Sequence, residues 1–427
     1  MSGTADNHRF VVDNVQRLED DRPSTIVIHH GIIESITEAA SGKVAHLAVS
    51  GMCDLYSRLR EPGLTRKGTI ASESLAAFGA GFTQVLCAPD TNPAIDNVAT
   101  VELIRQRAQL AQGAQVFPIA ALTTGLEGAQ LSELATLQAA GCPAAGQADR
   151  PLDNTTVLFS AMEYAASFDL PLFMTARHAQ LGVDGCAHEG AMATKLGLPG
   201  IPVAAETIAL AILLEICRET GCRLHISRVS SARALQMIDT AKQAALPVTC
   251  DVGIHHLFFT DEHLAGYDSS FNSAVPFRGT ADRDALRRGV STGVIDAICT
   301  DHSPHDKDAS LAPFPSTEPG LAAYQWFIPL ALQLPELLDL SFNRVFDKLT
   351  HAPRRIIGKA HPTGLDVGDV ADFFLLATDE SAGTTEQDTQ PAMTNHPLNI
   401  HSPEAIGLAP LKGRVKAVYS DFRQYHP

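Results

Sequence analysis

The chain has 427 residues, 45% hydrophobic and 19% charged, with a formal net charge of −16. Its length suits a barrel of about 250 residues with one smaller domain, its hydrophobic share supports a large core and excludes a disordered chain, and its acidic balance excludes a nucleic-acid surface. No apolar run approaches the roughly 20 residues of a membrane helix, and the N-terminal MSGTADNHRF lacks a signal-peptide pattern, so a cytoplasmic location is expected.

Residues 9–50 carry short β-like runs, RFVVDN, STIVIHHG and GIIESI, separated by Asp-Asn and His-Gly breakers. From about residue 50, short apolar runs alternate with helical stretches. The predicted strands are 44–54, 83–88, 115–120, 140–146, 170–175, 223–228, 248–252 and 294–300, with helices over 97–112, 155–167, 203–220 and 231–244. This alternation predicts an α/β fold, a (β/α)8 TIM-type barrel whose apolar strands are buried on both faces. A helical region follows over 320–357. A turn and strand over 363–376 and a strand over 411–421 return the chain to its β-rich start, completing a small β-sandwich. The expected division is 1–50 for the first part of the sandwich, 51–358 for the barrel and 359–427 for the second part. Residues 378–400, rich in Thr, Asp, Glu and Asn, read as a surface loop. The eight cysteines form no CxxC pair and read as buried free thiols in a reducing compartment.

A barrel keeps its chemistry where strands end and loops begin. Those ends read DLYSRLREPG (54–63), CAPDTNP (87–93), LHISRVSS (224–231), GIHHL (253–257) and CTDHSPH (299–305), joined by LGLPGIP (196–202) and GLDVGDVAD (364–372). Together these strings resemble the dihydroorotase family of the amidohydrolase superfamily, over nearly the whole chain. The resemblance implies a metallo-dependent hydrolase barrel with a small β-sandwich built from both chain ends. It also implies an activity that opens or closes the cyclic amide of dihydroorotate in pyrimidine synthesis, with one or two zinc ions.

The family's metal ligands carry over only where residues match. Its first strand offers two histidines in DLHxHLR; here those positions are Tyr56 and Arg58. A carboxylate or carboxylated lysine follows its fourth strand; in CPAAGQADRP Gln147 takes that place, with Asp149 as the alternative. A histidine ends its fifth strand; here Thr175 stands there, with Arg177 two residues on. The sixth-strand histidine is retained as His225 and the eighth-strand aspartate as Asp301. A catalytic zinc wants three protein ligands and an open position, so one histidine and one aspartate fall short and no metal is expected. Arg58 and Arg177 place guanidinium groups where a cation would sit. Arg58 is expected to pair with Asp301, because a buried carboxylate without a partner is costly.

Substrate recognition is altered too. The resemblance assigns the substrate carboxylate to the arginine of LREPG and an asparagine in MPNT; Arg60 is retained, but Asp90 stands at the asparagine position. An anion there repels an anionic substrate by roughly 1–4 kcal/mol at about 4 Å, and Arg60 and Asp90 are expected to neutralise each other. The family's NPPLR string reads AVPFR (274–278).

Each retained residue also has a plain structural reading. His225 on an apolar strand suits a hydrogen-bonded core histidine. Asp301, a vestigial base position, also suits a turn cap, and His255, His256, His302 and His305 read mainly as structural groups. The sequence thus describes a dihydroorotase-like protein without dihydroorotase activity. Degenerate relatives of this kind are non-catalytic partners of aspartate carbamoyltransferase, so the resemblance, not composition, implies that partner and a homo- and hetero-oligomer. One alternative is a cyclic amidohydrolase with a single zinc on Asp301 and His225, helped by Asp149 or His178. Another is a module that holds an anion with Arg58, Arg60 and Arg177.

Overall fold

The computed structural model describes residues 9–18, 20–39, 44–359, 365–382, 395–420 and 423–427. The expected turn at 363–364, the interior of the 378–400 loop and the last residue of the 411–421 strand lie outside them.

Eight parallel strands form the barrel: Met52–Ser57, Phe82–Cys87, Gln115–Pro118 continued by Ala120–Ala121, Ala145–Gly146, Leu172–Met174, Leu224–Ile226, Val248–Gly253 and Ala297–Cys299. The ring closes where Ser57 bridges His302 and the Thr300 N–H donates to Asp54 at 3.0 Å. Four of the intervening helices start on side-chain caps. Thr69 opens Ile70–Gly79 with a capping box, and Asn97, Asn154 and Ser231 each accept from backbone N–H groups of their own first turn. The helix Val203–Thr220 buries Leu210, Leu213, Leu214 and Cys217, one stripe at helical spacing, and stops at Gly221 with φ 66°.

The small domain is one mixed sheet of seven strands from both ends of the chain. Its order is Arg423–Tyr425, Lys412–Ser420, Phe373–Ser381, His46–Ser50, Arg9–Arg17, Asp20–His29 and Ile32–Glu38. Val15, Ile26, Ile33, Phe373 and Tyr419 are buried on it. Arg354 ties this sheet to the barrel. Its side chain is 1% exposed and donates to Asp372 at 2.8 Å, to the Gly51 carbonyl at 2.8 Å and to Gln84 at 3.2 Å.

Three sequence expectations change. The 44–54 run is two strands, His46–Ser50 in the small sheet and Met52–Ser57 in the barrel. The chain passes between them at Gly51, where a Cβ would sit 2.3 Å from Thr83 Oγ1. The 140–146 strand shrinks to Ala145–Gly146, because the helix Leu134–Ala139 and its cap take the start of that run. The 378–400 segment is not a surface loop at its described ends. Its start continues the strand Phe373–Ser381, and near its end His396 is 0% exposed while Asn395 donates to the Ser303 and Gly320 carbonyls. The cysteines are free and all but Cys186 are buried. Among the described residues no helix is long and apolar enough to cross a membrane.

Candidate functional site

The ends of the barrel strands place four non-glycine residues in the left-handed region: Arg60 (φ 65°), Ala148 (φ 53°), Arg228 (φ 58°) and Asp301 (φ 50°). Such a backbone costs roughly 1–3 kcal/mol per residue and persists only where its surroundings hold it. At Arg228 the holding bond is visible: its N–H donates to Asp251 at 2.5 Å.

Arg228 is the centre of the mouth. Its side chain is 0% exposed, and Nη1 donates to Asp301 at 2.8 Å. Nη2 donates to Asp149 and, at 2.6 Å, to Thr175. Arg58 reaches the same carboxylate from the first strand. Its Nη2 donates to Asp149 and, at 3.1 Å, to the Tyr56 hydroxyl, while Nε donates to Asp90 at 2.8 Å. The Tyr56 ring lies against both guanidiniums, with centroid distances of 3.8 Å to Arg228 and 5.2 Å to Arg58, a cation–π arrangement.

These contacts set the protonation states. Burial pushes the Asp149 carboxyl up, but Arg228 and then Arg58 more than reverse this and hold it well below the usual carboxylate range. Burial raises Asp301, and Arg228 offsets only part of the rise. Burial works against the charge on Arg58 and Arg228, yet their acidic neighbours keep both well above the ordinary arginine value.

The structure brings Tyr56, Arg58, Thr175 and Asp301 together at the mouth, as the strand-end strings implied, and redraws their pairing. Arg58 pairs with Asp90 and Asp149, not with Asp301. The partner of Asp301 is Arg228, which the sequence reading passed over. His225, three residues earlier, is 0% exposed and faces Thr249 at 2.9 Å and Asp251 at 3.1 Å, with Phe173 beside its ring. It is a core histidine, not a neighbour of Asp301. The usable signal was position: the strand ends at Ile226, so the mouth falls to Arg228.

Gln147 donates to Thr123 and the Leu126 carbonyl, leaving the mouth position to Asp149. Arg60 and Asp90 do not neutralise each other. Arg60 instead donates to the Pro304 carbonyl at 2.9 Å and Ser303 at 2.8 Å and lies 3.0 Å from His305, and burial together with Arg58 brings it down to about 10. The other histidines are structural. His178 accepts from the N–H groups of Gln180 and Leu181, His255 faces His396 at 2.9 Å, His256 meets the Val275 carbonyl, and His302 meets Glu73 at 2.8 Å.

The donor set does not fit zinc. Among the described residues no three His, Cys, Asp or Glu side chains gather as a metal site, and the two carboxylates that face the mouth already accept from guanidiniums. Beside the cluster lies a cavity of about 30 Å³ lined by Asp149, Thr175, Arg177, Ser227, Arg228 and Arg278 among others. That is room for a few water-sized atoms.

Comparison with known proteins identifies the family and the fold. The family model described as dihydro-orotase-like matches residues 45–234. A dihydroorotase-like protein of Pseudomonas putida is 44% identical over 84% of this chain and 83% of its own. One from Pseudomonas aeruginosa is 42% identical over 83% and 86%, and a dihydroorotase of Syntrophobacter fumaroxidans is 36% identical over 82% of each. The L-hydantoinase of Arthrobacter aurescens shares the fold, with a TM-score of 0.80 at 18% identity over 97% of this chain and 95% of that one. The chain belongs to the dihydroorotase-like family.

Proposed function

We propose that this chain is a non-catalytic dihydroorotase-like protein that serves as a structural subunit for aspartate carbamoyltransferase in pyrimidine synthesis. The observation that carries the first half is the run of ion pairs Asp90–Arg58–Asp149–Arg228–Asp301. Hydrolysis of a cyclic amide needs an activated water, made by a metal or a general base. Asp149 is held too acidic to take a proton near neutral pH, and Asp301 is occupied by Arg228. The cavity of about 30 Å³ is also far below the roughly 300 Å³ of small ligand pockets. The partner rests on the resemblance to degenerate members of the family.

The test is zinc content after incubation with zinc, paired with dihydroorotate hydrolysis on the same sample. No retained zinc and a rate equal to the buffer blank are expected. About one zinc per chain with turnover overturns the reading. Co-elution with the aspartate carbamoyltransferase catalytic chain tests the second half; separate elution and full transferase assembly without this chain overturn it. The single-zinc amidohydrolase draws support from the relatives named dihydroorotase. It requires His225 to share a metal with Asp301, and His225 is committed to Thr249 and Asp251.

A further inference from the structure

A second cavity opens at the end of the barrel opposite the mouth. It holds about 420 Å³ and lies where strands five to eight begin, against the helix His351–Ile356. That volume falls within the range of small-molecule pockets, roughly 300–1,000 Å³. One wall is apolar, built from Leu246, Pro247, Val248, Ala352 and Ile356. Charged groups line the rest. Arg355 makes two bonds to Asp347, at 2.9 and 3.2 Å. Asp296 accepts from Lys242 and from the Cys250 N–H. Arg223 donates to Asp169 at 3.2 Å and to the Ile356 carbonyl at 2.8 Å. Lys348 stands apart from these pairs. It is half-buried, so it keeps accessible surface at the wall. Its Nζ donates to the Ile295 carbonyl at 2.6 Å, and it has no carboxylate partner among the described residues. Burial lowers its pKa, and Asp296 and Asp347 offset only part of that loss. The lining and its direct partners thus carry four cations against three carboxylates, a local positive excess on a chain of net charge −16.

We infer that this cavity binds a small organic monoanion, a carboxylate carried on an apolar body. The carboxylate accepts from Lys348 Nζ, which has three N–H donors and spends one on Ile295. The body lies on the wall formed by Leu246, Pro247, Val248, Ala352 and Ile356. One unpaired ammonium matches one negative charge. A phosphate dianion would bring a second charge beside Asp296 and Asp347, which line the same space. The inference goes beyond the non-catalytic reading of the mouth and does not depend on it, because none of these residues lies at the strand ends that form the mouth.

The experiment titrates benzoate into the full chain at constant ionic strength. Benzyl alcohol supplies the body without the charge, and acetate the charge without the body. Thermal unfolding is followed, together with saturation transfer from the protein to the ring protons. Benzoate is expected to give a saturable rise in Tm, and the two partial probes none at the same concentrations. Lys348→Met weakens half-saturation by about tenfold, and Lys348→Arg keeps most of the effect. Arg177→Met, at the mouth, leaves it unchanged. The inference is overturned if benzoate stabilises no more than benzyl alcohol, or if Arg177→Met abolishes the effect while Lys348→Met keeps it. The three-probe comparison needs no variant, so it decides the matter even where Lys348→Met fails to fold.

Discussion

Arg228 donates to Asp301 at 2.8 Å while its guanidinium carbon lies 3.8 Å from the centre of the Tyr56 ring. The cation is thus boxed between an acid and an aromatic face with no exposed side-chain surface. Removing one partner of a buried pair leaves an uncompensated charge and costs about 3–5 kcal/mol. Arg228→Met is expected to lose that much in urea unfolding. Arg228→Met combined with Asp149→Asn and Asp301→Asn is expected to regain most of it, because the carboxylates then carry no charge. Additive losses in the combined variant would refute this account.

The same geometry predicts how to build a metal site. Tyr56→His, Arg58→His and Arg228→His together place three imidazoles around Asp149 and Asp301. That meets the ligand count zinc requires. After dialysis against zinc, the triple variant is expected to hold about one ion per chain by elemental analysis, and the parent chain none. A triple variant that folds and stays metal-free contradicts the placement of these residues around one point.

Stability should rise with pH in the mildly acidic range. Burial brings His255 down to about 3, and His256 and His305 down to about 4; burial also lowers His396. Unfolded histidines titrate near about 6.5, so between about pH 4 and 6.5 the unfolded chain binds more protons and stability climbs with pH. Asp54 acts the other way. Burial raises it to about 7, so the folded state binds its proton and that contribution falls as pH rises. Asp301 shifts in the same direction as Asp54. His46 and His188 are lowered as well and Asp261 is raised; the lowered histidines outnumber the raised carboxyls, so unfolding takes up protons on balance, and each net proton contributes up to about 1.4 kcal/mol per pH unit. Urea titrations at pH 5 and pH 6 measure it, and a flat or falling trend would reject the assignment.

Arg354 joins the two sheets through Asp372 and the Gly51 carbonyl from a position 1% exposed. Arg354→Met leaves Asp372 without its cation and is expected to cost about 3–5 kcal/mol. Restoration to near the parent midpoint in Arg354→Met/Asp372→Asn would show that the loss is electrostatic. An unchanged midpoint in the single variant would contradict the role given to this joint.

The barrel was legible because its parallel strands are buried on both faces and therefore read as apolar runs broken by polar loops. The same continuity hid the boundary at Gly51, where one apolar run crosses from one sheet to the other. At the mouth, strand-end position identified Tyr56, Arg58, Thr175 and Asp301. Arg228 was missed because the identity of His225 outweighed its position on the strand. Gln147 was favoured over Asp149 because sequence offset alone does not show the left-handed turn at Ala148 between them. The pairings themselves, Arg58 with Asp90 and Asp149 and Arg228 with Asp149 and Asp301, join strands far apart in the chain. They follow from closing the ring, which no local pattern specifies.

A mouth held by metal is ordered only once the ion arrives, and a chelator can empty it. Here the positive charges that pair with Asp149 and Asp301 belong to Arg58 and Arg228. They are delivered with the polypeptide at a fixed ratio of two per chain. The carboxylates of Asp149 and Asp301 therefore find their counter-charge when the ends of the fourth and eighth strands come together with those of the first and sixth. These two carboxylates need no loaded ion for their neutralisation, because the counter-charge is part of the chain.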